Sequence, residues 1–278
     1  MPQPPVELTL ELTSGRLRAH SFGSETGRLT LAVHGLSANS RSLDLLGAAL
    51  GSADRRVVAI DLRGRGFSEI TGAGTYGWNN HARDLLEAAT RLGAPRFDYV
   101  GHSMGAFIGM EVASTAPDRV ENLALIDAVG VPEAASLVPI LAAVQRLGAV
   151  HADADAYVAK VKSLGTVTPW GPVWETHYRY DLIAANGGVR PRTDHAAVLE
   201  DIAYAATQQP RDFWPKLTMR TLLVRAAVPL GQGFIVSAAD RDGFLRAAPR
   251  SEAVDIDANH YGVIAHPATA AALRSFFS

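Results

Sequence analysis

Hydrophobic and polar positions alternate in two distinct rhythms along this chain. Val6 to Ser14 alternates with a period of two, and Arg16 to Phe22 does so again after Ser14-Gly15, which predicts a β-hairpin. Leu29 to Val33 is continuously apolar and runs into His34-Gly35-Leu36, so it predicts a strand buried on both faces. Arg56 to Ile60, Arg96 to Val100, Val120 to Ala128, Thr221 to Arg225 and Ala253 to Ile256 read as strands too. Between them the period becomes helical. Ser40 to Leu50, Asn79 to Leu92 (Ala82, Leu85, Leu86 and Ala89 on one face), the residues between Ser103 and Pro117, and Pro267 to Phe277 follow that pattern. Buried strands alternating with helices predict an α/β fold: a mostly parallel β-sheet flanked by helices.

From Val131 to about Pro215 the strand signal disappears. Helical patterns cover Glu133 to Leu147, Asp153 to Leu164, Val173 to Asn186 and Ala196 to Thr207, and Trp170, Trp174, His177, Tyr178 and Tyr180 lie among them. The expected organisation is a core of residues 1–130 and 216–278, with residues 131–215 inserted over the sheet as a helical cap.

Composition narrows the partners. With 278 residues and 47% hydrophobic content the chain can bury a sizeable core, and 19% charged residues is low for a disordered segment. A net charge of -2 without basic runs gives no electrostatic footprint for nucleic acid or an anionic membrane. The absence of cysteine removes disulfides, thiolate metal sites and a thiol nucleophile together. Met1-Pro2-Gln3-Pro4-Pro5 lacks the basic start and apolar run of a signal peptide, and no stretch approaches the roughly 18 apolar residues of a membrane span. A soluble, cytoplasmic protein acting on a small molecule is the expectation, with its oligomeric state undetermined.

The chemistry concentrates at Gly101-His102-Ser103-Met104-Gly105, a G-x-S-x-G pattern between a predicted strand and a predicted helix. A turn this sharp strains the serine backbone, and a side chain at Gly101 or Gly105 would collide with the neighbouring strand or helix. It lifts the Ser103 hydroxyl above the sheet at a helix N-terminus, where developing negative charge is favoured.

In this context the chain resembles the α/β-hydrolase superfamily over nearly its whole length. The resemblance rests on His34-Gly35, Asp61-x-Arg63-Gly64-x-Gly66-x-Ser68, Gly101-His102-Ser103-Met104-Gly105 and Asn259-His260-Tyr261, in the family's order. It implies Ser103 as nucleophile and His260, after the last predicted strand, as its base. The other histidines read as motif-bound (His34, His102) or as solvated or capping residues (His20, His81, His151, His195, His266). Relatives commonly carry the acid after the penultimate strand. There, Ala226 to Val236 has no carboxylate, and the first one reached is Asp240, in the capping-box pattern Ser237-Ala238-Ala239-Asp240. Asp127, ending the strand after the elbow helix, is the other candidate; haloalkane dehalogenases and zearalenone-type lactonases carry their acid at that strand. Asp127 is the preferred acid and Asp240 the alternative. The oxyanion hole is expected from the backbone N–H of Met104 and of Leu36, with Gly35 the competitor for the latter. Asp61 and Arg63 read as loop braces.

No Gly-rich phosphate loop follows a strand, and no His-x-x-x-His or carboxylate cluster suggests a metal, so no cofactor is expected. A serine at the elbow argues against the aspartate-nucleophile branches. The resemblance implies acyl chemistry on an ester or lactone. The cap and the Val228–Val236 loop show no obvious charged recognition group, so an uncharged, largely apolar substrate is expected, with Trp174, His177 and Tyr178 as candidate pocket residues. A carbon–carbon bond hydrolase or cofactor-free oxygenase could use the same Ser and His, and release of a diketone or uptake of oxygen would distinguish them. A non-enzymatic small-ligand binder would leave Ser103 unlabelled by an organophosphonate.

Overall fold

The computed structural model describes residues 4–278. Ten strands and nine α-helices are laid out along them. A hairpin of β1 (Val6–Leu12) and β2 (Gly15–Phe22) enters β3 (Arg28–Val33), α1 (Asp44–Leu50) and β4 (Arg55–Ile60). Then follow α2 (Trp78–Arg91), β5 (Phe97–His102), α3 (Met104–Thr115) and β6 (Val120–Ile126). An insertion holds α4 (Ala134–Gln145), α5 (Ala154–Ser163), α6 (Pro172–Tyr180), a hairpin of β7 (Leu182–Ala185) and β8 (Gly188–Pro191), and α7 (His195–Ala205). The core resumes with β9 (Arg220–Ala226), α8 (Ala238–Ala247), β10 (Ser251–Ile256) and α9 (Pro267–Phe277).

Eight strands form one sheet in the order β1-β2-β4-β3-β5-β6-β9-β10. Strands β4 to β10 of this sheet run parallel, and β2 joins them antiparallel through Ala19 opposite Ile60. The apolar runs are explained by burial on two sides. Leu31 and Val33 of β3, Ile60 of β4 and Leu125 of β6 pack with α2 and α3, whereas Ala32, Ala59, Ala124 and Ile126 face α1 and α9 through Leu46, Leu273 and Phe276. A parallel sheet of this kind gathers its functional loops at the strand C-termini, and Ser103, Asp127 and His260 all lie there.

One expectation about the insertion needs correction. The helical run predicted from Val173 to Asn186 stops at Tyr180, and the chain turns into the β7–β8 hairpin, with Leu182 opposite Pro191 and Ala185 opposite Gly188. Gly187 and Gly188 adopt positive φ at its turn, which neither a helix nor an ordinary side chain tolerates. His20 and His81, expected in solvent, are fully buried: Nδ1 of His20 lies 2.9 Å from Ser40 Oγ, and Nε2 of His81 lies 3.1 Å from Asp201. No helix among the described residues is long and apolar enough to cross a membrane.

The insertion is tied to the core by charge. Asp201 of α7 accepts from Arg65 at 2.5 Å and from the backbone N–H of Gly77 at 2.7 Å, all fully buried. Arg192 donates to the carbonyls of Gly66 and Ser68 at 2.6 and 2.7 Å. Asp61 and Arg63 serve as braces. Asp61 accepts from the N–H groups of Ser40 and Phe67 and from the Tyr180 hydroxyl, and Arg63 pairs with Asp84.

Candidate active site

Strand β5 ends at His102, and Ser103 turns the chain into α3 with φ 56° and ψ -123°, a conformation unfavourable for a residue with a Cβ. The glycines make the turn possible. A Cβ on Gly101 would sit on the carbonyl of Gly105, and one on Gly105 would sit on the carbonyl of Val33 in β3. The Ser103 N–H is tied to the Ile126 carbonyl at 3.0 Å, so the elbow is anchored to β6.

His260 reaches the serine from the loop after β10. Its Nε2 lies 3.0 Å from Ser103 Oγ, and its Nδ1 lies 2.8 Å from Oδ2 of Asp127. The carboxylate accepts a hydrogen bond from Nδ1–H, which holds the proton on that nitrogen and leaves Nε2 free to accept from the serine hydroxyl. Asp127 follows β6 directly and has φ 49°, a left-handed turn. Its N–H bonds the Val224 carbonyl at 2.8 Å and its Oδ1 accepts from the Ala226 N–H at 3.0 Å, so both contacts to β9 aim Oδ2 at the imidazole. Asp240 is placed elsewhere. Its N–H is capped by Ser237 Oγ at 3.0 Å, and its carboxylate accepts from Arg211 at 2.8 and 2.9 Å.

Two further histidines hold the frame. Burial pushes His102 well below the usual imidazole range, so it is neutral, and its Nε2 donates to the His260 carbonyl at 2.9 Å. Burial also lowers His34 to about 3. Nε2 of His34 accepts from the Leu62 N–H at 3.1 Å, so the proton is on Nδ1, which donates to the Gly35 carbonyl at 2.7 Å. The Ala38 N–H donates to that same carbonyl. A trans peptide points its C=O and N–H in opposite directions, so fixing Gly35 O fixes the Leu36 N–H. Neither that N–H nor the N–H of Met104, first residue of α3, bonds another backbone group. Gly35 abuts Ser103: a Cβ there would lie 3.0 Å from Ser103 Cβ.

Ser103 stands between two chambers. One, of about 90 Å³, is bordered by His102, His260, Arg146, Trp174, His177 and Tyr178. The other, of about 420 Å³, is bordered by Met104, Phe107, Trp78, Leu137, Ile140 and Ile202. The three cap residues expected at the pocket line the smaller one. His177 is lowered by burial to about 3 and hydrogen-bonds Asn39 Oδ1 through Nδ1 at 2.9 Å. The Asn39 amide nitrogen faces the His177 carbonyl and Asp181, so its oxygen is the acceptor and His177 carries its proton on Nδ1.

Against the expectation of a pocket without charged side chains, Arg146 lines the smaller chamber. In the sequence it looks like an ordinary cation in the last turn of a helix, the place where basic residues favour the dipole. Phe107 and Trp78, stacked with ring centroids 4.7 Å apart, form a wall of the larger chamber that the sequence did not single out. Among the described residues no group of three or more His, Asp or Glu side chains is arranged to hold a metal ion.

Comparisons with known proteins agree with this architecture. The family described as alpha/beta hydrolase fold matches residues 31–267. A 3-hydroxybutyrate-oligomer hydrolase of Cupriavidus necator is 35% identical over 136 residues, 48% of this chain and 44% of that protein. A 2-hydroxymuconate semialdehyde hydrolase of Pseudomonas putida is 33% identical over 134 residues, 47% of each. The matched stretch therefore spans less than half the length of these two curated relatives. Among solved structures, an E-2-(acetamidomethylene)succinate hydrolase superposes with a TM-score of 0.86 at 25% identity, covering 98% of this chain and 99% of that one.

Proposed function

The chain belongs to the α/β-hydrolase fold family, and from that premise we propose that it is a serine hydrolase cleaving an ester or lactone through Ser103, His260 and Asp127. The observation that carries this reading is the continuous chain from Asp127 Oδ2 through the imidazole to Ser103 Oγ, at 2.8 and 3.0 Å. A serine hydroxyl is a weak nucleophile until a base removes its proton, and His260 Nε2 is within reach to do so.

In the reaction Ser103 Oγ attacks the carbonyl carbon while His260 takes its proton. The carbonyl oxygen becomes an oxyanion between the N–H groups of Leu36 and Met104, each donor contributing on the order of 3 kcal/mol to the transition state. The C–O bond to the leaving group breaks, and His260 passes its proton to the departing oxygen. Water, deprotonated by His260, then releases the acid from Ser103. Asp127 holds the imidazole tautomer and stabilises the imidazolium in both halves. The apolar lining of the larger chamber suits an apolar acyl group.

A second reading, hydrolysis of a carbon–carbon bond, is favoured by the similarity to the semialdehyde hydrolase. An organophosphonate probe followed by a screen of esters, lactones and β-diketones tests the assignment. Labelling at Ser103, with ester or lactone turnover lost in Ser103→Ala, supports it. Turnover confined to diketones supports the second reading, and an unlabelled Ser103 with full activity in Ser103→Ala refutes both.

A further inference from the structure

The two chambers differ in chemistry as well as size. Only the smaller is bordered by His260, the group that hands a proton to the departing oxygen, so the leaving group belongs there and the acyl group in the larger chamber. This assignment rests on the serine-hydrolase reading above. At the wall of the larger chamber the one charged side chain is Asp201, whose carboxylate is spent on Arg65, His81 and the Gly77 N–H.

The smaller chamber holds a cation without a counter-ion. Arg146 uses Nη1 to donate to the Ala142 carbonyl at 2.8 Å, and among the described residues no carboxylate lies within 4.0 Å of its guanidinium. Its Nε and Nη2 bond no protein group among the described residues. Tyr157, Tyr178 and Tyr261 line the same chamber, and their hydroxyls form no side-chain hydrogen bond among the described residues. Arg146 is near enough to all three to oppose the upward push that burial exerts on their hydroxyls, so the four donors share one region.

A guanidinium and three hydroxyls without acceptors, beside the point where the leaving group departs, call for an acceptor of negative charge. We infer that the smaller chamber is a carboxylate subsite, and that the preferred substrate joins an apolar acyl group to a small leaving group bearing a carboxylate. The expectation of an uncharged substrate then holds for the acyl half alone. The products are a fatty-type acid and a short hydroxy acid: the C–O bond is cleaved, water supplies the hydroxyl to the acyl carbon, and no oxidant or reductant is involved.

The test uses two isosteric esters, butyryloxyacetate and butyryloxyacetamide, which differ only in the charge of the leaving group. The readout is the ratio of their kcat/KM values. The wild-type protein should favour the carboxylate ester, and Arg146→Met should lower that ratio about 10- to 100-fold, the range of a charge-assisted hydrogen bond. A common loss on both esters would mean that Arg146 only caps its helix, and it would overturn the inference. Failure of the wild type to cleave either ester would count against the serine-hydrolase reading, so binding is measured separately on Ser103→Ala by calorimetry. There butyryloxyacetate should bind more tightly than the amide, and Ser103→Ala/Arg146→Met should lose that preference. Equal affinities for the two esters in Ser103→Ala would overturn the subsite even if catalysis were absent.

Discussion

Asp127 and His260 meet at 2.8 Å although 133 residues separate them in sequence. The contact is set by β9, whose Ala226 N–H takes the other carboxylate oxygen of Asp127 and leaves one lone-pair edge for the imidazole. Asp240, the competing carboxylate, is held by Arg211 while its N–H is capped by Ser237.

From this contact follows an unequal pair of mutants. Asp127→Asn should lower kcat about 10³- to 10⁴-fold, because an amide favours the wrong imidazole tautomer. Asp240→Asn should keep its activity and lose about 1 kcal/mol of stability through the weakened Arg211 pair and helix start. Rates and melting temperatures of the two variants check this together, and the opposite pattern would move the acid to Asp240.

His34 should matter through geometry. Replacing it by Phe removes the shorter of the two hydrogen bonds to the Gly35 carbonyl and leaves the Gly35–Leu36 peptide held by the Ala38 N–H alone. With that peptide less firmly held, kcat should fall about 10- to 100-fold with KM changed far less, since the N–H of Leu36 is placed to act on the oxyanion of the transition state. Steady-state kinetics on any turned-over ester decides it, and an unchanged kcat would remove Leu36 from the oxyanion hole.

Acid should destabilise the fold through its buried neutral histidines. Burial lowers His34 and His177 to about 3 and His20 to about 4, below the ordinary value of 6.5. The unfolded chain therefore binds more protons in that interval, and stability rises with pH across it. Stability is lost as pH falls from about 6.5 toward the folded values. Melting temperatures from pH 8 to pH 4 should drop, and His177→Gln should show a shallower drop than the wild type. Parallel curves for the two proteins would contradict the assignment of His177 as a buried neutral group.

The clamp between α7 and the core makes a further prediction. Asp201→Asn leaves Arg65 buried without its counter-charge, which should cost about 3–5 kcal/mol. Denaturant titration measures this, and a loss below about 1 kcal/mol would show that the clamp is not needed.

How much of this was legible in the sequence depends on how local each cause is. The elbow is readable because its glycines, strand and helix are contiguous, and the Gly101 collision is with Gly105 inside the motif, although Gly105 itself is required by the distant Val33. His260 is readable from its order along the chain. The role of Asp240 as a capped helix residue is likewise local, but its partner Arg211 is 29 residues away and leaves no pattern. The burial of His20 and His81 has the same origin, since Ser40 and Asp201 are brought to them only by folding. The β7–β8 hairpin was concealed by apolar residues that continue a helical period beyond Tyr180, although Asn186-Gly187 carried a turn signal. Arg146 could not be told from a dipole-complementing cation until the chamber around it was visible.

A covalent acyl intermediate on Ser103 would be seen by acid-quenched mass spectrometry during turnover of p-nitrophenyl butyrate. The protein should gain one butyryl group on the peptide containing Ser103, the adduct should form within the first turnover, and Ser103→Ala should show neither adduct nor hydrolysis. Turnover by the wild type and by Ser103→Ala at equal rates, with no butyryl group on that peptide, would contradict it.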